Sequence, residues 1–196
     1  LSTWGDYATS LAGVRIDITG EEHLWAHRPC VFMFNHQSNF DGIVLMRLLR
    51  RDVTAIAKAE LKHMPIIGQL FSLGEVVFID RADSEGAIDA LKHATATLET
   101  GLSIAIAPEG TRQRTPALGT FKKGGFHLAV AAQAPIVPIV IHNSLDVQPR
   151  GMLVMRPATV RVDILPAIET KGLESDHVPD LVDDVRSRFL AALGQA

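Results

Sequence analysis

Short apolar runs of strand length recur along this chain, and segments of helical character separate most of them. VRIDIT at 14–19 alternates apolar and polar residues as a half-buried strand does, whereas VFMF at 31–34 and LSIAIA at 102–107 are almost wholly apolar. Further strands are predicted at 53–57, 76–79 and 136–141. Strands interleaved with helices predict a single α/β domain with helices on both faces of its sheet.

Four segments carry the signals of helices: 39–50, 84–100, 125–133 and 179–194. Ser38 can cap the first of them, with Asp41 three residues later in the capping-box position. Near the end of the chain, LVMR at 153–156 and TVRVDIL at 159–165 predict a hairpin around Pro157. Because a hairpin adds antiparallel pairing, the sheet is expected to be mixed and mostly parallel.

The composition favours one globular domain without a nucleic-acid partner. The 196 residues carry a net charge of −3 with a pI near 6.2, whereas nucleic-acid binders usually have a strong basic excess. Cys30, the single cysteine, adjoins an apolar run and is interpreted as a packing residue. His127 and His142 are isolated on apolar elements, and both are interpreted as core or surface histidines whose hydrogen-bonding groups are satisfied. No Cys/His cluster has zinc-ligand spacing, so no metal is expected.

Two polar loops follow predicted strands directly, NHQSNFDG at 35–42 and APEGTRQR at 107–114. In open α/β sheets ligands bind at the carboxyl ends of strands, so two such loops can face one crevice. His36 precedes Asp41 by five residues, an offset that separates side chains by roughly 140° on a regular helix. The two can meet if His36 lies in the loop and Asp41 in the first helical turn. Asp41 would then fix the tautomer of a general base; the alternative is that it only favours the helix dipole.

The second loop has the character of an anion site. This loop and the FKKGG segment at 121–125 together carry four cations against one acid, Glu109; the cations are Arg112, Arg114, Lys122 and Lys123. The guanidinium fork suits bidentate phosphate binding, and Gly110 permits close backbone approach. Glu109 cannot itself attract a phosphate and is interpreted as orienting a cation or a backbone amide; the alternative is a solvated turn. A base beside an anion site suggests transfer chemistry on a phosphorylated alcohol.

Four blocks, in order, resemble those of the glycerolipid acyltransferases, in particular the bacterial 1-acyl-glycerol-3-phosphate (lysophosphatidic acid) acyltransferases. They are NHQSNFDG, GEVVFIDR at 74–81, PEGTR at 108–112 with FKKGGFHLA at 121–129, and APIVPIVI at 134–141. AKAEL at 57–61 is similar to a segment in which the family often has two adjacent lysines; here the second is Ala59. The likeness spans about residues 13–170, and the acyltransferase domain is expected to comprise 13–196.

The resemblance implies an enzyme that moves a fatty acyl group from acyl-CoA or acyl-carrier protein to the free hydroxyl of lysophosphatidic acid, giving phosphatidic acid. It assigns catalysis to His36 and Asp41. Binding of the acceptor phosphate falls to residues of two blocks: Arg81, Glu109, Gly110, Thr111 and Arg112. Lys58 is a candidate for the oxyanion or donor side. No cofactor is implied beyond the acyl thioester.

Other functions stay open on the residues alone. The acceptor can be glycerol 3-phosphate or another lysophospholipid, water can replace it as in a thioesterase-like hydrolase, or the chain can be a non-catalytic lipid-binding module. The intact pair of His36 and Asp41 argues against the last, and the basic loop argues against the hydrolase. No G-x-S-x-G elbow occurs, and Ser38 is better explained as a cap, so direct transfer without an acyl-enzyme is expected.

Two parts of the sequence suggest contact with a membrane, although the longest apolar stretch, at 128–141, is shorter than the roughly 20 residues of a membrane-spanning helix. The resemblance makes residues 1–12 the stump of a membrane-associating segment, or a linker. LKHMPIIGQLFSLG at 61–74 is predicted to be either a core helix or an exposed apolar patch. Nearby basic residues would add attraction to anionic lipid; they are Arg47, Arg50 and Arg51. A peripheral position on the cytoplasmic face of the membrane is therefore expected.

Overall fold

Seven strands form one sheet in the computed structural model, which describes residues 2–59, 76–79, 84–149, 151–152 and 154–196. In chain order the strands are β1 (Arg15–Thr19), β2 (Val31–Phe34), β3 (Val53–Lys58), β4 (Val77–Ile79), β5 (Ser103–Ile106), β6 (Ile136–Ile141) and β7 (Thr159–Ile164). Their order across the sheet is β1-β7-β6-β2-β5-β3-β4. All neighbours are parallel except β6 and β7. The expected mixed, mostly parallel sheet is confirmed.

The predicted hairpin around Pro157 is wrong. Residues 154–158 form no strand, and β7 pairs instead with β6 in antiparallel and with β1 in parallel orientation. The apolar residues of β7 are buried, whereas Val154 is 72% exposed and gives the preceding segment no buried face. Pro157 also lacks the N–H that a ladder of strands requires. The antiparallel contribution to the sheet was therefore predicted correctly, but from the wrong pair of segments.

Helices cover both faces of the sheet. They are α1 (Ser2–Leu11), α2 (His23–Ala26), α3 (Phe40–Leu49), α4 (Ser84–Glu99), α5 (Gly124–Ala131), α6 (Ser144–Val147) and α7 (Val178–Leu193), with a 3₁₀ turn at Ser175–His177 before the last. Buried residues of α2, α3 and α6 share one core, and those of α4, α5 and α7 share the other. Within β2, Val31 and Met33 belong to the second core and Phe32 to the first, as the alternation along a strand requires.

The central strands β5, β2 and β6 run parallel and side by side, so the chain leaves all three at the same edge of the sheet. The loop at 35–39 leads from β2 into α3, and the segment 107–123 leads from β5 into α5. The loops carrying His36 and Glu109 are therefore neighbours, although the two residues lie 73 positions apart in the chain. In the described ranges, none of the helices combines the length and apolar character needed to span a bilayer.

Candidate active site

His36 and Asp41 are hydrogen-bonded across the start of α3. The His36 Nδ1 atom lies 2.8 Å from the Asp41 Oδ2 atom, with His36 in the loop and Asp41 in the first helical turn. The same carboxylate oxygen accepts the backbone N–H groups of Gln37 and Ser38, each at 2.8 Å. Asp41 is completely buried. One oxygen thus fixes both the imidazole and the backbone of the loop that carries it.

The other ring nitrogen of His36 is open. The imidazole side chain is 28% exposed, and no atom of the described residues bonds its Nε2. In the neutral imidazole, a bond from Nδ1 to Asp41 Oδ2 puts the proton on Nδ1 and leaves the lone pair on Nε2, the tautomer that a general base requires.

His142 shows the contrasting arrangement. Its Nε2 lies 2.7 Å from Asp163 Oδ2, and Arg161 Nη2 lies 3.2 Å from its Nδ1. Both ring nitrogens are occupied, and the side chain is only 10% exposed. The geometry agrees with the interpretation of His142 as a satisfied histidine and leaves His36 as the imidazole with a free nitrogen at this edge of the sheet, within the residues described.

Two potential nucleophiles near β2, the Ser38 hydroxyl and the Cys30 thiol, are both buried. Ser38 is buried, and its Oγ donates to the Gln148 carbonyl at 2.8 Å while accepting the Phe40 N–H at 3.1 Å. The N-cap of α3 is Asn39 and not the predicted Ser38, although the Ser38 hydroxyl still accepts the first N–H of the helix. Burial raises the pKa of the Cys30 thiol to about 12, so it stays protonated.

Glu109 joins the two loops from a buried position. Its Oε1 accepts the His36 N–H and its Oε2 accepts the Gly119 N–H, both at 2.8 Å. The Gln113 N–H donates in turn to the His36 carbonyl at 2.8 Å. Burial raises the pKa of Glu109, and the two N–H bonds oppose that rise. Both oxygens of Glu109 are therefore used by backbone amides, in agreement with its interpretation as an orienting residue.

Gly119 is part of this arrangement and was missed in the sequence. A Cβ at this position would lie 2.5 Å from Gln113 Nε2 and 2.8 Å from Glu109 Oε2, both closer than real contacts allow. A Cβ at position 119 would have to displace the Gln113 amide and the Glu109 carboxylate, and the buried Glu109 side chain is held by two backbone N–H groups. The signal was weak, because a glycine ten residues after Glu109 looks like any loop glycine.

Gly119→Ala should destabilise the protein by about 1–3 kcal/mol, the usual cost of overpacking, and should lower turnover by displacing Glu109 from the His36 N–H. Thermal unfolding and initial rates well below the melting temperature measure the two effects. Gly124→Ala is the matched control, because a Cβ there meets nothing within 4 Å. Unchanged stability and turnover in Gly119→Ala would show that Glu109 does not depend on this close approach.

Arg112 reaches across to the loop of His36. Its Nη1 donates to the Asn39 Oδ1, and its Nε is buried without a partner among the described residues. Gly110 has a φ of +74°, the left-handed conformation that glycine adopts most readily. The remaining cations of the segment are exposed; they are Arg114, Lys122 and Lys123. The cationic character predicted for this loop is therefore available to an anion.

Two candidate residues cannot be placed at the site. Arg81 lies outside the described residues, as does the apolar segment 61–74. Lys58 is the last residue of β3, two strands from β2, and its side chain is not among those described. Within the described ranges, no group of three His, Cys, Asp or Glu side chains is arranged to hold a metal ion.

Comparison with known proteins gives this geometry a family context. Residues 15–142 match the model of the acyltransferase family. The 1-acyl-sn-glycerol-3-phosphate acyltransferase alpha of Mus musculus is 36% identical over 186 residues, which are 94% of this chain and 65% of that protein. The beta form of Homo sapiens is 38% identical over 183 residues, or 91% of this chain and 66% of that protein.

A solved structure shares the fold. The crystal structure of the 1-acyl-sn-glycerophosphate (LPA) acyltransferase PlsC from Thermotoga maritima has a TM-score of 0.85 and 25% sequence identity, and the match covers 99% of this chain and 77% of that one. The chain thus spans most of the solved relative but about 65% of the curated mouse relative.

Proposed function

This chain belongs to the acyltransferase family, and we propose that it transfers a fatty acyl group from an acyl thioester to the free hydroxyl of lysophosphatidic acid, giving phosphatidic acid. The names of the relatives support the choice of acceptor. The observation that carries the proposal is the joining of two loops by Glu109, which sets an imidazole with a free Nε2 beside a cationic segment.

In the proposed mechanism, His36 Nε2 takes the proton of the acceptor hydroxyl as its oxygen attacks the thioester carbonyl carbon. The tetrahedral intermediate collapses by breaking the C–S bond, and the imidazolium returns the proton to the departing thiolate. An ester and a free thiol result, with no net change in protonation. The Asp41 carboxylate, 2.8 Å from Nδ1, stabilises the transient imidazolium.

The acceptor phosphate is proposed to bind the segment that follows β5. Arg112 supplies donors, Gly110 allows the backbone to approach closely, and the exposed Thr111 adds a hydroxyl. Glu109 contributes by holding the loop rather than by contacting phosphate. On the family resemblance alone, Arg81 is proposed as a second phosphate ligand and Lys58 as a cation on the oxyanion or donor side.

Direct transfer predicts a kinetic pattern. Because Ser38 is committed to two hydrogen bonds and the Cys30 thiol is buried and protonated, both substrates must be bound together. Double-reciprocal plots for donor and acceptor should therefore intersect, and protein denatured during turnover should carry no acyl group. Parallel plots with a mass increase of one acyl group on Ser38 or Cys30 would establish an acyl-enzyme instead.

We propose that the protein works at a membrane surface, with either acyl-CoA or acyl-carrier protein as the thioester. Helix α1 supports this placement, because Trp4, Tyr7 and Leu11 recur along one side of it and are 48%, 67% and 87% exposed. An exposed apolar stripe with aromatic residues is typical of helices that lie in the membrane interface. The proposed position is peripheral, on the cytoplasmic face.

Replacing Tyr7 and Leu11 together by serine should weaken partitioning into anionic vesicles about tenfold or more, since each side chain loses apolar area that lipid would bury. Co-sedimentation with vesicles of phosphatidylglycerol and phosphatidylcholine measures the effect. Val154→Ser is the control, because Val154 is 72% exposed and lies outside α1. Equal sedimentation of the double variant and the wild type would remove α1 from the membrane contact.

The function itself is tested with a labelled acyl-CoA and a panel of acceptors. Phosphatidic acid formed only in the presence of lysophosphatidic acid supports the proposal. A preference for glycerol 3-phosphate or another lysophospholipid would keep the chemistry and change the acceptor. Acceptor-independent release of fatty acid would indicate a hydrolase, and the absence of any acyl release would indicate a lipid-binding module.

A further inference from the structure

Asn39 connects the loop of the proposed base to the proposed phosphate ligand. It lies between His36 and Asp41 in the chain, is exposed, and accepts a hydrogen bond from Arg112 Nη1 through its Oδ1. Because a guanidinium has donors and no acceptor, the amide must turn its oxygen toward Arg112. Its Nδ2 then has no protein partner among the described residues.

Arg112 is bonded to a neutral amide, so its positive charge is not cancelled by its partner. Among the described residues, no carboxylate lies within ion-pair distance of Arg112; the nearest acid in the loop, Glu109, spends both oxygens on backbone amides. A neutral amide orients a guanidinium without cancelling its charge, whereas a carboxylate in the same place would compete with a bound anion. The Nε of Arg112 is buried and also lacks a protein partner among the described residues.

We propose that Asn39 is a positioning residue for recognition of the phosphate monoester, holding Arg112 in place and leaving its charge for the acceptor. The inference rests on the proposed function for the identity of the acceptor. Since Asn39 sits in the loop between the proposed base and its carboxylate, it also ties the position of the phosphate to that of His36 Nε2. The same short loop thereby positions both the reacting hydroxyl and the phosphate of one acceptor molecule.

The test compares Asn39→Asp, which keeps the shape and adds a charge, with Asn39→Leu, which removes the polarity at similar size. Each is made in the wild-type and the Arg112→Ala background. Thr115→Asp is the matched control, because it adds the same charge to an exposed position three residues beyond Arg112. Calorimetry measures binding of hexanoyl lysophosphatidic acid, a short-chain probe that stays monomeric, and of the neutral hexanoyl glycerol. Initial rates give the KM of each substrate and kcat.

Arg112→Ala should weaken binding of the phosphate probe about 10–150-fold, the range for hydrogen bonds to a charged group. Asn39→Leu should weaken it about 2–13-fold, the range for one neutral hydrogen bond, and Asn39→Asp should weaken it further. In the Asn39 and Arg112 variants, the affinity for hexanoyl glycerol and the donor KM should change by less than about twofold. Thr115→Asp should change the affinity for the phosphate probe by less than about twofold, because screened charges at the surface contribute little. The ratio of the dissociation constants of Asn39→Asp and Asn39→Leu for the phosphate probe should be smaller in the Arg112→Ala background, because no guanidinium remains there to be neutralised.

Any of four results would overturn the inference. One is wild-type affinity of Asn39→Asp for the phosphate probe. Another is an equal loss for the neutral probe, which would indicate general damage to the loop. The third is a ratio of dissociation constants, Asn39→Asp to Asn39→Leu, that is the same with and without Arg112. A wild-type protein that does not bind the phosphate probe would overturn the inference as well. Binding with the expected variant pattern but without formation of a diacyl product would uphold the role of Asn39 and reject the proposed reaction.

Discussion

Replacing His36 by alanine should lower turnover by about 10²–10⁴, the usual contribution of a general base, while leaving the fold intact. The fold is expected to survive because the backbone of His36 makes the bonds that hold the loop: its N–H donates to Glu109 Oε1 and its carbonyl accepts from Gln113. Alanine keeps both bonds. The imidazole itself is partly exposed and bonds only Asp41 among the described residues.

Initial rates with saturating donor and acceptor measure this loss, with circular dichroism and thermal unfolding as checks on folding. His93→Ala is the control, because His93 is an exposed residue of α4. Added imidazole should restore part of the activity if the cavity left by the side chain admits a diffusible base. Turnover within about threefold of the wild type in a folded His36→Ala protein would reject His36 as the base and would require another group to accept the hydroxyl proton.

Local patterns predicted the strands and the loops that follow them. The strands predicted at 31–34 and 136–141 have the bounds of β2 and β6, because each is a short apolar run that is buried on both sides of the sheet. The rule that loops share the carboxyl edge of parallel strands then brought His36 and Glu109 together. That inference requires only that the two strands run in the same direction, and β2 and β5 do pair in parallel.

Contacts between distant loops could not be read from the sequence. The bonds of Glu109 to His36 and Gly119, and of Arg112 to Asn39, depend on how two loops meet rather than on any local spacing. The sequence suggested that Glu109 orients a cation or a backbone amide, because its charge has the wrong sign for phosphate, and its bonds to two backbone N–H groups agree with that interpretation. It gave no comparable reason to single out Asn39, whose role depends on a partner 73 positions away.

Helix α1 was missed for a similar reason. Gly5 in its middle is unfavourable for a helix by about 1 kcal/mol relative to alanine. In the fold, a Cβ at Gly5 would lie 2.8 Å from the backbone nitrogen of Arg47, so the glycine permits close packing of α1 on α3. Arg47 also donates to Thr9 Oγ1 at 2.7 Å. Tertiary packing therefore outweighs the local propensity, and the arginine considered for lipid attraction is engaged with α1 instead.

Asp41→Asn should lower turnover by up to about 10⁴, because an amide no longer fixes the tautomer that leaves Nε2 free. If the new NH₂ group turns toward His36, it donates to Nδ1 and the ring proton moves to Nε2, which blocks the base. If the amide oxygen turns toward His36, the imidazolium loses its stabilising charge. Stability should also fall by about 1–3 kcal/mol, since Asp41 is fully buried and its Oδ2 accepts three hydrogen bonds.

The chain contains a matched control for this substitution. Asp163→Asn changes another carboxylate that bonds a histidine, at 2.7 Å from His142 Nε2, but outside the two loops of the site. It should lower stability with little effect on turnover, and rates for all variants are compared well below their melting temperatures. The double variant His36→Ala/Asp41→Asn should be no slower than His36→Ala alone, because the two residues act as one unit. Multiplicative losses in the double variant would show instead that Asp41 serves the reaction by a route independent of His36.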